Sequence, residues 1–84
     1  MSYEISILRR AYKELAKLPQ RDCKKVNIAI NNLAINPRPS GCKKLKGRPA
    51  WRIRVGDYRI IYEISDQKLI IVVVDVGHRR DIYR

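Results

Sequence analysis

Six consecutive apolar residues, Leu69-Ile70-Ile71-Val72-Val73-Val74, constrain this chain more than any other feature. A β-strand sends alternate side chains to opposite faces, so such a run has no polar face and needs cover on both. It is too short to cross a membrane, and its β-branched content suits a strand. Its place is the middle of a sheet, with strands along both edges. Eighty-four residues must supply everything else, which bounds the chain to one domain, residues 1–84, with a modest core.

The other elements follow from periodicity. Ala50 to Val55 and Tyr58 to Ser65 alternate as strands, and the central strand is predicted from Lys68 to Val76. Gly56-Asp57 and Asp66-Gln67 are short turns suited to tight hairpins. Tyr3 to Leu8 also alternates and is the candidate for the central strand's other edge. Between these, Ala11, Tyr12, Leu15 and Leu18 fall at helical spacing, predicting a helix from Arg9 to about Leu18 that Pro19 ends. A second helix is predicted from about Gln20 to Ile35, with Val26, Ala29, Ile30 and Leu33 facing inward. Ile28 and Ile35 form a narrow second stripe, which is either a wider core contact or a patch where a partner docks. Asn36-Pro37-Arg38-Pro39-Ser40-Gly41 breaks the pattern and leads into a basic loop with Lys43, Lys44, Lys46 and Arg48. The predicted fold is α+β, in the order β-α-α-β-β-β. A helical hairpin covers one face of the sheet, and the first strand lies beside the last.

Charge then points to a ligand. Nineteen Lys and Arg against eight Asp and Glu give a formal charge of +11, which calls for a polyanionic or acidic partner, usually nucleic acid. On the strand Ala50 to Val55, Arg52 and Arg54 share one face and Trp51, Ile53 and Val55 the other. On the next strand Arg59, Ile61, Glu63 and Ser65 oppose Tyr58, Ile60, Tyr62 and Ile64. The simplest arrangement puts Ile53, Val55 and the Tyr58 set under the helices, and Arg52, Arg54 and Arg59 together on the open face. Guanidiniums crowded there repel, and a bound anion relieves that cost; pairing of one of them with Glu63 is the structural alternative. The chain ends in Gly77-His78-Arg79-Arg80-Asp81-Ile82-Tyr83-Arg84, which adds cations, an imidazole as acid/base candidate and a phenol.

Several chemistries lack their residues in this sequence. No carboxylate cluster has metal-ligand spacing, no glycine-rich phosphate loop is present, and Cys23 and Cys42 with one His do not make a usual zinc site. No metal or cofactor is expected. The two cysteines read as reduced thiols. No signal peptide and no apolar stretch of membrane-spanning length is apparent, so the expected setting is the cytoplasm, away from membranes. RNA can be cut without metal, because its 2′-hydroxyl already lies beside the scissile phosphate. That route needs a base for the hydroxyl, cations for the charged phosphorane and an acid for the departing 5′-oxygen. Arginine stays protonated and cannot be the base.

Three segments, in this order and spacing, carry a family likeness: Lys44-Leu45-Lys46-Gly47, Trp51-Arg52-Ile53-Arg54-Val55-Gly56-Asp57-Tyr58-Arg59-Ile60-Ile61-Tyr62, and Val76-Gly77-His78-Arg79-Arg80-Asp81-Ile82-Tyr83. The chain resembles, over nearly its whole length, the RelE toxins of bacterial and archaeal toxin–antitoxin systems, within the RelE/ParE superfamily. The resemblance implies a RelE-like fold. It also implies a metal-independent endoribonuclease that enters the ribosomal A site, cleaves translated mRNA and is silenced by a cognate antitoxin. The ribosome, with its mRNA and 16S rRNA, is then the second partner.

Residue by residue, the resemblance gives Arg52 and Arg54 a role in binding and activating RNA. Arg59 and Arg79 stabilise transition-state charge, with Arg79 also a proposed acid, and Tyr83 orients the nucleotide or acts as base. Family members often carry lysine at the positions of Arg52 and Arg54. Arginine cannot deprotonate there, which shifts the base towards Tyr83 or His78. Lys43, Lys44, Lys46, Arg48, Arg80 and Arg84 complete the expected RNA-binding set. Two other functions fit the same fold: a ParE-like gyrase inhibitor acting by protein contact, and an RNA-binding module without chemistry.

Overall fold

The apolar run lies where its composition requires. In the computed structural model, which describes residues 2–78, a five-stranded sheet has the order β1-β5-β4-β3-β2. These strands are β1 (Glu4–Ile7), β2 (Lys43–Lys44), β3 (Trp51–Val55), β4 (Tyr58–Ser65) and β5 (Ile70–His78), and two helices, α1 (Arg9–Ala16) and α2 (Gln20–Asn32), follow β1. β5 lies inside the sheet, with a strand on each side: it is antiparallel to β4 and parallel to the edge strand β1. Where β1 stops, Arg10 of α1 takes over its edge: Arg10 Nε donates to the Val74 carbonyl at 2.9 Å, and its guanidinium lies 3.7 Å from Asp75.

The helices cover one face. Ala11 and Leu15 from α1, Val26 and Ile30 from α2, and Leu33 just beyond it are buried against Ile53, Ile60, Tyr62, Ile71, Val73 and Val76. Full burial of side chains this size contributes roughly 1.5–3 kcal/mol each. Tyr62 is the largest buried side chain, and its hydroxyl finds a partner by donating to the Pro37 carbonyl at 2.7 Å.

The helices and β5 depart from expectation at their ends. α1 stops at Ala16 and α2 at Asn32, because the last turns pass into tighter i to i−3 bonds, Leu18 to Leu15 and Leu33 to Ile30. Tyr12, expected inward, is exposed, as are Ile28 and Ile35; the wider core contact is therefore not made. The β4–β5 connection takes four residues, since Ser65 pairs with Ile70 and Leu69 adopts φ 56°. β5 accordingly starts two residues late and runs on through His78.

Two features were not expected at all. Lys43 and Lys44 form a short edge strand on β3. A β-bulge interrupts the β4–β5 ladder: Ile61 pairs with Asp75 but Tyr62 with Val73, leaving Val74 as the extra residue. The Gly56-Asp57 hairpin is as predicted, with Gly56 at φ 59° in the first central position that a type II′ turn requires.

Candidate nucleic-acid interface

Register places the strand arginines. Arg54 pairs directly with Arg59 across β3 and β4, and Arg52 pairs with Ile61. Residues opposite one another share a face, and Ile61 belongs to a small apolar cluster away from the helices. Arg52, Arg54 and Arg59 therefore lie together on that face, as the alternation predicted. Lys43 joins them, because it stands opposite Arg52 on the edge strand. Lys44 stands opposite Trp51 and takes the other face.

This face is less open than expected. Ala50, Ile61 and Val74 are buried there, with Leu45 and Val72 packed against them. Leu45 donates its N–H to the Ala50 carbonyl at 2.9 Å, which folds the basic loop back over the sheet. Lys46 and Arg48 are carried exposed on that loop. Arg52 and Arg59 are themselves largely covered, at 8% and 4% exposure, whereas Arg54 is exposed. Gly77 lies opposite Arg59 on β5 and offers no side chain, so the guanidinium can lie close to the sheet. Glu63 is exposed on the same face, four residues (about 13 Å) along β4 from Arg59.

His78 is not in this group. It ends β5 opposite Tyr58, on the helix side, and the two rings meet edge to face with centroids 5.8 Å apart. Tyr58 in turn donates to Asp22 of α2 at 3.1 Å; desolvation and that carboxylate raise its phenol above the usual range. Arg79, Arg80, Tyr83 and Arg84 lie outside the described residues. Among the described residues no three His, Cys, Asp or Glu side chains gather at a metal-binding distance.

One cluster escaped the sequence reading. Arg38 forms two hydrogen bonds to Asp66, at 2.9 and 3.3 Å, while Tyr3 donates to the same carboxylate at 2.6 Å. The Arg38 guanidinium also lies 5.0 Å from the centre of the Trp51 ring. These contacts fix the proline-containing loop that delivers Lys43 to the sheet edge. Arg38 and Tyr3 hold the Asp66 carboxyl below the usual carboxylate range. Nothing in the sequence marks Asp66 for this, because an aspartate in a turn has sufficient local reasons to be there.

Comparison with known proteins settles the family. Residues 5–83 match the model of the ParE toxin of type II toxin-antitoxin system, parDE. The chain belongs to the RelE/ParE superfamily of type II toxins. It is 36% identical over 87 residues to Toxin RelG of Mycobacterium tuberculosis, covering 100% of this chain and 99% of that one. It is 29% identical over 82 residues to the mRNA interferase toxin RelE of Escherichia coli K12, covering 94% of this chain and 85% of the relative. The fold superposes on RelE in the archaeal RelE–RelB complex from Pyrococcus horikoshii with a TM-score of 0.85 at 26% identity, over 96% of this chain and 99% of that one. This RelE-type chain thus has the α+β architecture of its relatives. None of its described helices is long and apolar enough to cross a membrane.

Proposed function

We propose that this toxin is a ribosome-dependent mRNA endoribonuclease that cuts in the A site and arrests translation. The observation that carries the reading is the cationic face on which Arg54 stands opposite Arg59, with Arg52 and Lys43 beside them. A phosphate held there meets donors that are already fixed by the sheet, which favours charge developing in a transition state. Likeness to an E. coli relative named as an mRNA interferase supports the same chemistry. In the proposed step the 2′-oxygen loses its proton to a base and attacks the adjacent phosphorus. The phosphorane charge is balanced by Arg59, Arg54 and Arg79, and the 5′-oxygen leaves with a proton. A 2′,3′-cyclic phosphate and a 5′-hydroxyl result. Tyr83 is the favoured base, since the arginines stay protonated, and Arg79 is a candidate acid. No metal enters the scheme.

The partners follow from the same reading. The ribosome, with mRNA and 16S rRNA, supplies the substrate, and a cognate antitoxin keeps the toxin silent in the cytoplasm. Solved relatives in RelE–RelB complexes support such an antitoxin. A second reading, gyrase inhibition by protein contact, is favoured by the ParE description of the matched family. Toeprinting of a translated mRNA on purified ribosomes separates the two. New 5′ ends in the A site that weaken in Tyr83→Phe are expected. Intact mRNA together with loss of gyrase supercoiling would establish the second reading instead.

A further inference from the structure

The cationic face does not stop at the sheet edge. Among the described residues β2 pairs only with Trp51 and Arg52, so no strand lies beyond Ile53 to Val55 of β3. There a groove of about 630 Å³ opens between β3 and α2. Lys43, Arg52 and Arg54 line this groove and also belong to the arginine face, so one cationic surface runs round the edge. None of the lining residues is Asp or Glu.

The helix side of the groove suits a flat ring with a polar edge. Ala29, Asn32, Leu33 and Asn36 line it at positions i, i+3, i+4 and i+7, one face of α2 and of the turn beyond it. That turn stays helical, because the Asn36 N–H donates to the Asn32 carbonyl at 3.0 Å. The two carboxamides are therefore neighbours. Asn36 is oriented as well: its Oδ1 accepts from the Arg38 N–H at 3.3 Å, which leaves its NH₂ as the end that can donate to a ligand. Leu33 and Ile53 belong to the buried core and give the groove a fixed apolar floor. The volume falls in the range of roughly 300–1,000 Å³ usual for small-ligand sites, which leaves room for a nucleotide. A carboxylate or a bare phosphate would use the cations and leave both carboxamides idle. A nucleobase uses both, with its faces on apolar groups and its edge on amides.

We propose that this groove is a nucleobase subsite of the RNA-cleaving face. One base of a single strand lying along the arginines turns round the edge into the groove. Its phosphate stays on Lys43 and Arg54, and Asn32 and Asn36 hydrogen-bond its edge. This rests on the nuclease reading above and adds to it a source of sequence preference. Asparagine pairs bidentately with N6 and N7 of adenine, so adenine is the favoured base.

The probes are pentauridylate and the same RNA with adenine at its centre, each titrated into the isotope-labelled full chain. The adenine RNA is expected to bind about tenfold tighter, the order for one bidentate base contact. It should also shift the side-chain NH₂ signals of Asn32 and Asn36 and the methyl signals of Leu33 and Ile53. Asn32→Ala should remove the tenfold preference, and Ala29→Phe, which fills the apolar side, should remove the groove shifts. Thermal unfolding checks that both variants stay folded; if either does not, the parent's shifts and affinities decide. Equal affinity for the two RNAs, or groove signals that respond to neither, would overturn the proposal. Groove shifts with a heptaglutamate peptide and with neither RNA would make this a protein site and overturn it too. Toeprinting judges the nuclease reading apart. Cleavage whose codon preference is the same in the parent and Asn32→Ala sinks the subsite and leaves the nuclease. Intact mRNA alongside adenine-dependent groove shifts sinks the nuclease and leaves a base-binding groove.

Discussion

Arg54 and Arg59 stand directly opposite one another across the β3–β4 ladder, on the face away from the helices. Like charges so placed destabilise a sheet by a few tenths of a kcal/mol. Arg54→Gln should therefore raise the urea midpoint slightly in low salt, and the gain should vanish near 1 M salt, where screening acts within about 3 Å. The same change should lower mRNA cleavage roughly 100-fold, the order expected for losing one fixed charge stabiliser. A variant that is less stable in low salt would show that the two cations do not oppose folding.

His78 offers the opposite case. Its ring packs on Tyr58 on the helix side, so it would have to cross the sheet to reach a phosphate beside Arg59. His78→Gln should keep cleavage within about tenfold of the parent, whereas losing a general base costs roughly 10²–10⁴-fold. The parent's pH–rate profile should also lack a limb that vanishes in His78→Gln. A loss of three orders of magnitude would return the base assignment to His78.

The bulge explains why this was hidden in the sequence. Strict alternation along β5 from Ile71 would put His78 on the same face as Val72 and Val74, beside the arginines. The extra residue at Val74 shifts the parity, and Val76 and His78 fall on the helix side instead. Val72, Val73 and Val74 suit either face, so the apolar run itself does not mark the extra residue; only Asp75, just beyond it, would sit badly on the core face under strict alternation. The arginine positions were legible because β3 and β4 alternate cleanly and their two-residue turn sets the register. The edge strand was not, since Lys43 and Lys44 lie between glycines in a basic loop and a two-residue pairing leaves no periodic pattern to read. Ile28 and Ile35 carried both of their readings equally well, and only burial could separate them.

Tyr62 connects the core to the loop after α2. Its phenol is buried, which pushes its ionisation well above the usual range, and it donates to the Pro37 carbonyl at 2.7 Å. Tyr62→Phe keeps the packing and removes the donor. A loss of about 1–2 kcal/mol is expected, read as a lower urea midpoint at unchanged m-value. An unchanged midpoint would mean that water replaces the bond without cost.

The Asp66 clasp should give the fold an acid-labile contribution. Hydrogen bonds from Arg38 and then Tyr3 depress the Asp66 pKa in the folded chain. A depressed carboxyl contributes stability that is complete above its unfolded pKa, about 4, and disappears as pH falls through the folded value. Tyr3 runs the other way: its phenol is raised, chiefly by the bond to Asp66, so its contribution is complete below about pH 10 and lost above it. Asp66→Asn should flatten both limbs of the melting temperature plotted against pH. Parallel curves for parent and variant would show that the clasp does not couple to folding.

The paired lysines of β2 provide the sharpest test of the cationic face. Lys43 shares the face of Arg52, and Lys44 stands opposite Trp51 on the other side. Both are exposed and equal in charge, so long-range attraction to RNA should treat them alike. Direct phosphate contact should not. Each contact to a single strand contributes about 0.7 to the slope of log affinity against log salt. Lys43→Ala should therefore lower that slope by about 0.7, and Lys44→Ala should leave it nearly unchanged while weakening binding slightly in low salt only. Binding isotherms with a short single-stranded RNA across a salt series measure both. Equal slopes in the two variants would mean that RNA does not follow the Arg52–Arg54–Arg59 face at all.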